Sequence, residues 1–174
     1  MTIPSPSVPV EFLPLGEDDL PRINELANLP EIAEHFETIP PVTMEATRTL
    51  WTYVQGGIAS IWGIHLEGRV IGVAGFYGPP AGTRLSHSAT FYLYAEPACW
   101  GRGIGTAAVS FLEKEARKRG YRRMECMVAG TNPRAVELYR RLGYDEEGVK
   151  RQAFLIDDRY ADLILMGKVF PLRA

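Results

Sequence analysis

The sequence is short of the residue types that build metal centres and disulfide scaffolds. Its 174 residues include two cysteines, Cys99 and Cys126, and three histidines, His35, His65 and His87, all far apart along the chain. A metal site usually needs three or four such ligands at short spacings, so no metal is expected. Two isolated thiols are typical of a reducing compartment, and we therefore expect a cytoplasmic protein.

The sequence also lacks a strong net charge and a long apolar run. Nineteen basic residues stand against 21 acidic ones, which gives no reason to expect nucleic acid as a partner. No apolar stretch approaches the ~18 residues of a membrane span, and the N-terminus does not resemble a secretory signal, so no membrane partner is expected. Residues 1–9 are proline-rich and are interpreted as a flexible tail before a single domain over 10–174.

The rest of the chain alternates between strand and helix patterns. Strands are predicted at 10–15, twice within 60–78, at 88–96, at 122–128 and twice within 148–170, and helices at 16–29, 44–57, about 103–119 and 131–143. This order predicts a mixed α/β (α+β) fold. We expect a central, twisted, mostly antiparallel sheet of about seven strands, with about four helices and one βαβ crossover.

Residues 98–108, ACWGRGIGTAA, place three glycines directly before an apolar helical stripe. The first amides of a helix have no internal partner and carry partial positive charge. Glycine has no Cβ, so Gly101, Gly103 and Gly105 would let an anion approach those amides, and Arg102 adds a cation. The pattern predicts a diphosphate site, although a plain glycine turn before a helix would read the same way.

Two nucleotide-binding motifs compete for this stretch. A P-loop needs a lysine that is absent here. The dinucleotide pattern G-x-G-x-x-A fits Gly103, Gly105 and Ala108, with Glu125 as the acidic ribose ligand. However, PACWGR separates the predicted strand from the first glycine, and a single crossover unit follows, which is too little for a doubly wound sheet.

A second pattern follows the glycine loop. The sequence N-x-x-A-x-x-L-Y-x-x-x-G-Y is formed by Asn132, Ala135, Leu138, Tyr139, Gly143 and Tyr144. With this pattern downstream of Gly103 and Gly105, residues 96–144 resemble the acyl-CoA-binding core of the GNAT superfamily of N-acetyltransferases. The family motifs are [QR]-x-x-G-x-[GA], where Trp100 stands in place of the leading Gln or Arg, and N-x-x-A-x-x-[LV]-Y-x-x-x-G-[FY], which is matched in full.

The resemblance implies that acetyl-CoA binds in a gap between two splayed central strands, 88–96 and 122–128. Pantetheine would pair with the backbone near Leu93, Tyr94 and Ala95, as an added strand does. The diphosphate would lie on amides of the glycine loop, and Asn132 would either bind the pantetheine arm or cap its helix. The implied coenzyme-binding residues are Leu93, Tyr94, Ala95, Trp100, Gly101, Arg102, Gly103, Ile104, Gly105, Thr106, Asn132, Ala135 and Tyr139.

The resemblance also implies direct attack of an amine on the thioester, with Tyr139 donating a proton to the leaving thiolate. A main-chain N–H on a splayed strand would stabilise the carbonyl oxygen. Some relatives place a glutamate base where Met127 stands here, which leaves Glu125 and Glu96 as candidates. A water chain, or an acceptor that arrives neutral, would remove the need for a base.

Acceptor selection is expected from residues 30–57, where Glu34, Phe36, Trp51 and Tyr53 could suit a cationic or apolar amine. They could equally be ordinary helix faces. The expected function is transfer of an acetyl group to a small amine, an amino-acid-like metabolite or a protein N-terminus. A non-catalytic acyl-CoA-binding module and a nucleotide-dependent oxidoreductase are the alternatives, and a homodimer stays open.

Overall fold

A seven-stranded sheet is the frame on which the other elements are placed. The computed structural model describes residues 9–171, so the predicted tail, except for Pro9, lies outside the described residues. The strands are β1 Glu11–Pro14, β2 Ala59–Leu66, β3 Arg69–Tyr77, β4 Ser88–Ala95, β5 Arg123–Ala129, β6 Asp145–Ile156 and β7 Arg159–Val169. The helices are α1 Leu20–Ala27, α2 Pro30–Ala33, α3 Met44–Gln55, α4 Ile104–Lys118 and α5 Pro133–Arg141.

The sheet is interrupted at its centre. Its strand order is β1-β2-β3-β4-β5-β7-β6, and every neighbouring pair is antiparallel except β4 and β5. These two strands are parallel and pair at three positions only, from Ser88 opposite Arg123 to Thr90 opposite Glu125. β4 continues to Ala95 and β5 to Ala129 without further pairing, so a gap opens between their C-terminal halves.

The two faces of the sheet bury separate hydrophobic clusters. On one face, α4 and α5 pack on the central strands through residues such as Leu112 and Val136, which contact the cluster around Phe91. On the other face, α1 buries Ile23 and Leu26 in the cluster of β2 and β3. Because β4 and β5 are parallel, α4 and α5, which follow them in the chain, both begin at the same end of the central gap.

The fold class and the order of elements predicted from the sequence are confirmed. The segment 16–29 differs in detail, because residues Glu17–Asp19 form a 3-10 turn and α1 begins at Leu20. α2 was not predicted as a separate helix. It forms because Leu29 is extended before Pro30, which ends α1 and starts a new turn. No helix within residues 9–171 combines the length and apolarity needed to cross a bilayer.

Candidate active site

A cavity of about 980 Å³ occupies the gap between β4 and β5. Most of its lining residues fall into two groups. The helix wall consists of lining residues from Cys99 to Thr106 and from Thr131 to Leu142, at the starts of α4 and α5. The aromatic wall consists of Glu31, Ile32, His35, Phe36, Tyr92, Tyr94 and Met127. Among residues 9–171, no group of three or more His, Cys, Asp or Glu side chains is placed to hold a metal.

The glycines of the helix wall have different physical roles. Gly101 (φ 77°) and Gly103 (φ 80°) adopt the left-handed conformation, which a side chain would make costly. Gly105 instead allows close packing, because a Cβ there would lie 2.9 Å from Cδ2 of Leu138 on α5 and the leucine side chain would have to shift. The glycine pattern therefore shapes the turn and seats α4 against α5, in addition to any role in ligand approach.

The start of α4 presents amides that have no helical partner. The first hydrogen bond of this helix runs from the Ala107 amide to the Gly103 carbonyl at 3.0 Å. The amides of Ile104, Gly105 and Thr106 precede it and have no intrahelical acceptor. All three residues line the cavity, so partial positive charge is directed into it.

Backbone groups of β4 also face the gap. The Glu96 amide donates to the Ile71 carbonyl on β3 at 2.7 Å. Since hydrogen-bonding directions alternate along a strand, the backbone groups of Leu93 and Ala95 turn away from β3, toward the unpaired part of β5. The backbone of Tyr94 faces β3, and its hydroxyl donates to the Ile23 carbonyl at 3.3 Å. Of the three strand residues predicted to pair with an extended ligand, Leu93 and Ala95 have the suitable direction.

Trp100 fixes the turn between β4 and α4. Its indole Nε1 donates to the Ala95 carbonyl at 2.6 Å, and the residue is 37% exposed. The guanidinium of Arg134 lies over this ring, 4.6 Å from its centroid. Trp100, which replaces the expected Gln or Arg, is thus hydrogen-bonded to the end of β4. The face of its ring contacts the guanidinium of Arg134 from α5.

Asn132 caps α5, and Tyr139 lies about two turns later on the same helix, in the cavity wall. The Asn132 Oδ1 accepts from the Ala135 amide at 3.1 Å, and Pro133 occupies the first turn. Tyr139 is 7% exposed and meets the ring of Phe91 edge-on, with 5.3 Å between centroids. Burial raises the pKa of the Tyr139 phenol, which therefore carries its proton at neutral pH.

The two carboxylates predicted as candidate bases are both ion-paired. Glu96 lies between Arg69 (2.7 Å) and Arg22 (2.8 Å), and these guanidinium groups hold its pKa below the ordinary value. Glu125 accepts from Arg123 at 2.9 Å. Neither carboxylate is among the residues that line the cavity.

The predicted acceptor residues separate in the structure. Phe36 lines the cavity, and its ring packs edge-on against Tyr94 with 5.1 Å between centroids. Glu34, Trp51 and Tyr53 are not lining residues; Trp51 packs on the α1 cluster, and Tyr53 is 47% exposed. The structure does not bring these three into the cavity.

Sequence reasoning missed several residues of the aromatic wall. Tyr92 shares a strand face with Tyr94, which the alternation of β4 could have indicated. His35 was not singled out as a site residue from the sequence, and it is the one imidazole among the lining residues. Its Nε2 lies 3.4 Å from Glu34 Oε1, and its Nδ1 is buried with no hydrogen-bond partner within the described part of the chain.

Comparison with known proteins places this geometry among acetyltransferases. The sequence profile described as the acetyltransferase (GNAT) family matches residues 23–144, which is 122 of 174 residues. An uncharacterised N-acetyltransferase of Methanocaldococcus jannaschii is 42% identical over 57 residues, or 33% of this chain and 25% of that protein. The first curated relatives are matched over 25% to 56% of their own length.

Solved structures agree with the sequence profile at the level of fold. An N-acetyltransferase of Staphylococcus aureus Mu50 superposes with a TM-score of 0.84 at 18% identity, over 92% of this chain and 98% of that one. A spermidine N-acetyltransferase of Vibrio cholerae, solved with CoA and spermine, superposes with a TM-score of 0.82 at 21% identity, over 92% and 95%.

Proposed function

The chain belongs to the GNAT family of acetyltransferases, and on that premise we propose that it moves an acetyl group from acetyl-CoA to a primary amine. Members of this family use acetyl-CoA. One observation carries the proposal: β4 and β5 part after three residue pairs, and the resulting cavity lies between unpartnered helix amides and a buried tyrosine.

The cavity fits an acylated coenzyme in shape and in chemistry. Its volume of about 980 Å³ lies within the range of small-molecule sites. The amides of Ile104, Gly105 and Thr106 are suited to a diphosphate, and the backbone groups of Leu93 and Ala95 to the amides of an extended pantetheine arm. Asn132 uses its Oδ1 as a helix cap, which leaves its side-chain NH₂ for that arm.

The bound thioester supplies an activated acetyl group, and the residues of this chain orient it and move protons. A main-chain N–H of the unpaired half of β4 stabilises the charge that develops on the carbonyl oxygen. Tyr139, which holds its proton at neutral pH, donates it to the departing thiolate. The edge-on contact with Phe91 fixes the plane of the phenol ring.

The acceptor amine must lose a proton, and the proposal assigns its removal to His35. Two arginines neutralise Glu96 and keep its pKa low, which makes it a poor proton acceptor. Glu125 is engaged by Arg123 and lies outside the cavity lining. His35 lines the cavity, its Nε2 lies 3.4 Å from Glu34 Oε1, and its Nδ1 has no hydrogen-bond partner within the described residues.

The aromatic wall favours a small cationic amine as the acceptor. Phe36, Tyr92 and Tyr94 offer aromatic faces, which attract ammonium groups, and Glu31 adds a carboxylate to the lining. Amino-acid-like amines and protein N-termini remain within the same proposal. Buried Cys99 and Cys126 are free thiols, which supports action in the cytoplasm.

An acetyl-transfer assay that follows release of the free thiol tests the proposal. The panel would contain polyamines, amino acids, aminoglycosides and peptides with a free N-terminus. We expect turnover with at least one of the cationic amines. Tight CoA binding without turnover of any amine would favour a non-catalytic acyl-CoA-binding module. Stabilisation by NAD rather than by CoA in a thermal-shift assay would favour an oxidoreductase.

A further inference from the structure

Lys168 on β7 closes the end of α5 that lies opposite the Asn132 cap. Its ammonium donates to the Leu142 carbonyl at 2.7 Å and to Glu113 Oε1 on α4 at 2.8 Å. The same ammonium lies 5.5 Å from the centre of the Tyr144 ring. The last turn of a helix has free carbonyls and partial negative charge, so a cation is stabilising there. One side chain thus joins β7, α4 and the C-terminal end of α5.

The turn that Lys168 contacts is a Schellman motif, and Tyr139 belongs to it. Gly143 is left-handed (φ 84°), and its amide donates to the Arg140 carbonyl at 3.0 Å. The Tyr144 amide donates to the Tyr139 carbonyl, also at 3.0 Å. Because this turn binds the Tyr139 carbonyl directly, the place of the Tyr139 backbone depends on where the turn is held.

The contact between Lys168 and Glu113 holds that turn against α4. The two residues are 55 positions apart in the chain, and both side chains are largely buried, at 26% and 16% exposure. Glu113 lies about two turns beyond Gly105, where α4 touches Leu138 of α5. The two helices are therefore linked at two levels, one on each side of Tyr139 in the α5 sequence.

We infer that Lys168 is a positioning residue for acetyl transfer: by holding the Schellman turn against α4, it keeps the Tyr139 phenol where it can protonate the leaving thiolate. This inference rests on the proposed function, since Lys168 acts through the general acid. Lys168 is not among the residues that line the cavity. Its effect on turnover should therefore pass through Tyr139 and not through contact with the coenzyme or the amine.

The test is a cycle of four kcat values, measured for the wild type, Lys168→Met, Tyr139→Phe and the double variant. Methionine keeps an unbranched apolar stem and removes the ammonium. We expect kcat of Lys168→Met to fall by about 10-fold, with the Kd for acetyl-CoA within about twofold of the wild type. In the Tyr139→Phe background the same substitution should change kcat by less than about twofold, because the group that it positions is already absent.

Lys118→Met is the matched control, since Lys118 also pairs with a glutamate of α4, Glu115, but lies outside the cavity lining. It should retain the wild-type kcat. If Lys168→Met does not fold, Glu113→Gln takes its place in the cycle, because it keeps the bond from Lys168 to Leu142 and removes the partner's charge. We expect it to lower kcat by about threefold, with the same dependence on Tyr139.

Hydrogen exchange supplies a readout that needs no turnover. The amides of Gly143 and Tyr144 should exchange about 10-fold faster in Lys168→Met, whereas those of β2 and β3 should be unchanged. Faster exchange throughout the sheet would show a general loss of stability and would count against the inference.

Three kinetic outcomes overturn the inference. An equal fall of kcat in both backgrounds would mean that Lys168 supports the fold and does not position Tyr139. An unchanged kcat in Lys168→Met would also overturn it, while the proposed function stands. Full kcat in Tyr139→Phe would remove the general acid, and the inference with it. If the wild type transfers acetyl to no amine of the panel, the proposed function itself fails.

Discussion

The helix wall and the aromatic wall enclose the same cavity by different means. The helix wall is built mainly from backbone: left-handed glycines, unpartnered amides and a capped helix start. The aromatic wall is built from side chains that two distant segments, 31–36 and β4–β5, bring together. Backbone sites constrain sequence strongly at a few positions, whereas side-chain sites tolerate many solutions. The helix wall can therefore be recognised in the sequence as a motif. The aromatic wall is the part of the cavity in which relatives can differ in substrate.

The largest expected effect is at the backbone of the helix wall. Gly103→Glu places a carboxylate and a strained side chain at the left-handed residue that precedes α4. We expect CoA affinity to fall by about 10³-fold or more, because at least two charge-assisted hydrogen bonds are lost. Gly82→Glu is the matched control, since Gly82 is also left-handed (φ 86°) but lies in a remote loop. If both variants bind CoA normally by calorimetry, the diphosphate assignment is wrong.

The next effect concerns the side chain that the helix wall contributes to chemistry. Tyr139→Phe removes the buried phenolic proton, and we expect kcat to fall by about 10²-fold with an unchanged Kd for acetyl-CoA. Tyr144→Phe controls for packing, because its ring lies 6.0 Å from that of Tyr139 but is not part of the cavity lining. Steady-state kinetics that show full kcat in Tyr139→Phe would remove the general acid from the mechanism.

A smaller effect is expected at the aromatic wall. His35→Gln removes the only lining imidazole, and we expect kcat to fall by about 10-fold at neutral pH, since water can replace part of a proton acceptor's role. The affinity for acetyl-CoA should not change, which separates the two walls. His87→Gln, an exposed residue outside the lining, should behave as the wild type. A kcat equal to that of the wild type would mean that the amine arrives neutral or deprotonates through water.

The smallest effect on turnover is expected at Glu96. Glu96→Gln should change kcat by less than about twofold, but it should lower the free energy of unfolding by about 1–2 kcal/mol because Arg22 and Arg69 lose their shared partner. The pKa of Glu96 is depressed on folding, so the ion pair stabilises the protein above the unfolded pKa. This contribution disappears as the pH falls through the folded pKa. The free energies of unfolding of the wild type and Glu96→Gln, measured with denaturant, should then become equal.

Glu25→Gln is the control for that experiment, because it removes the other partner of Arg22 at a 65% exposed position. An exposed pair contributes little, so the loss should stay within about 0.5 kcal/mol. A large fall of kcat in Glu96→Gln, with stability intact, would restore Glu96 as a candidate base.

The sequence was sufficient for the features that local chemistry dictates. Proline, glycine and capping residues marked the helix ends, and periodicity separated strands from helices, so the order of elements could be predicted. The gap between β4 and β5 could not be derived from periodicity, because register depends on pairing between distant segments; it entered through the family resemblance.

The site residues whose roles depend on local structure could also be predicted from the sequence, and those whose positions depend on distant segments could not. Gly103 and Asn132 were identified because their roles are local to a turn and a helix start. His35 was missed because its place beside the cavity depends on how the turn after α2 folds back onto β4. The role of Gly105 was only partly foreseen, since its contact with Leu138 joins two helices that are distant in sequence.

That contact between Gly105 and Leu138 also has a consequence for the length of molecule that the cleft accepts. A Cβ at 105 would lie 2.9 Å from Cδ2 of Leu138, so α4 and α5 pack closely at this point, and moving them apart would open a void. Tyr139 follows Leu138 directly, which ties the phenol to the loop at the start of α4. The two helices thus set a fixed distance between the α4 amides and the phenol of Tyr139. A pantetheine arm a few bonds shorter or longer would not place its sulfur next to that phenol.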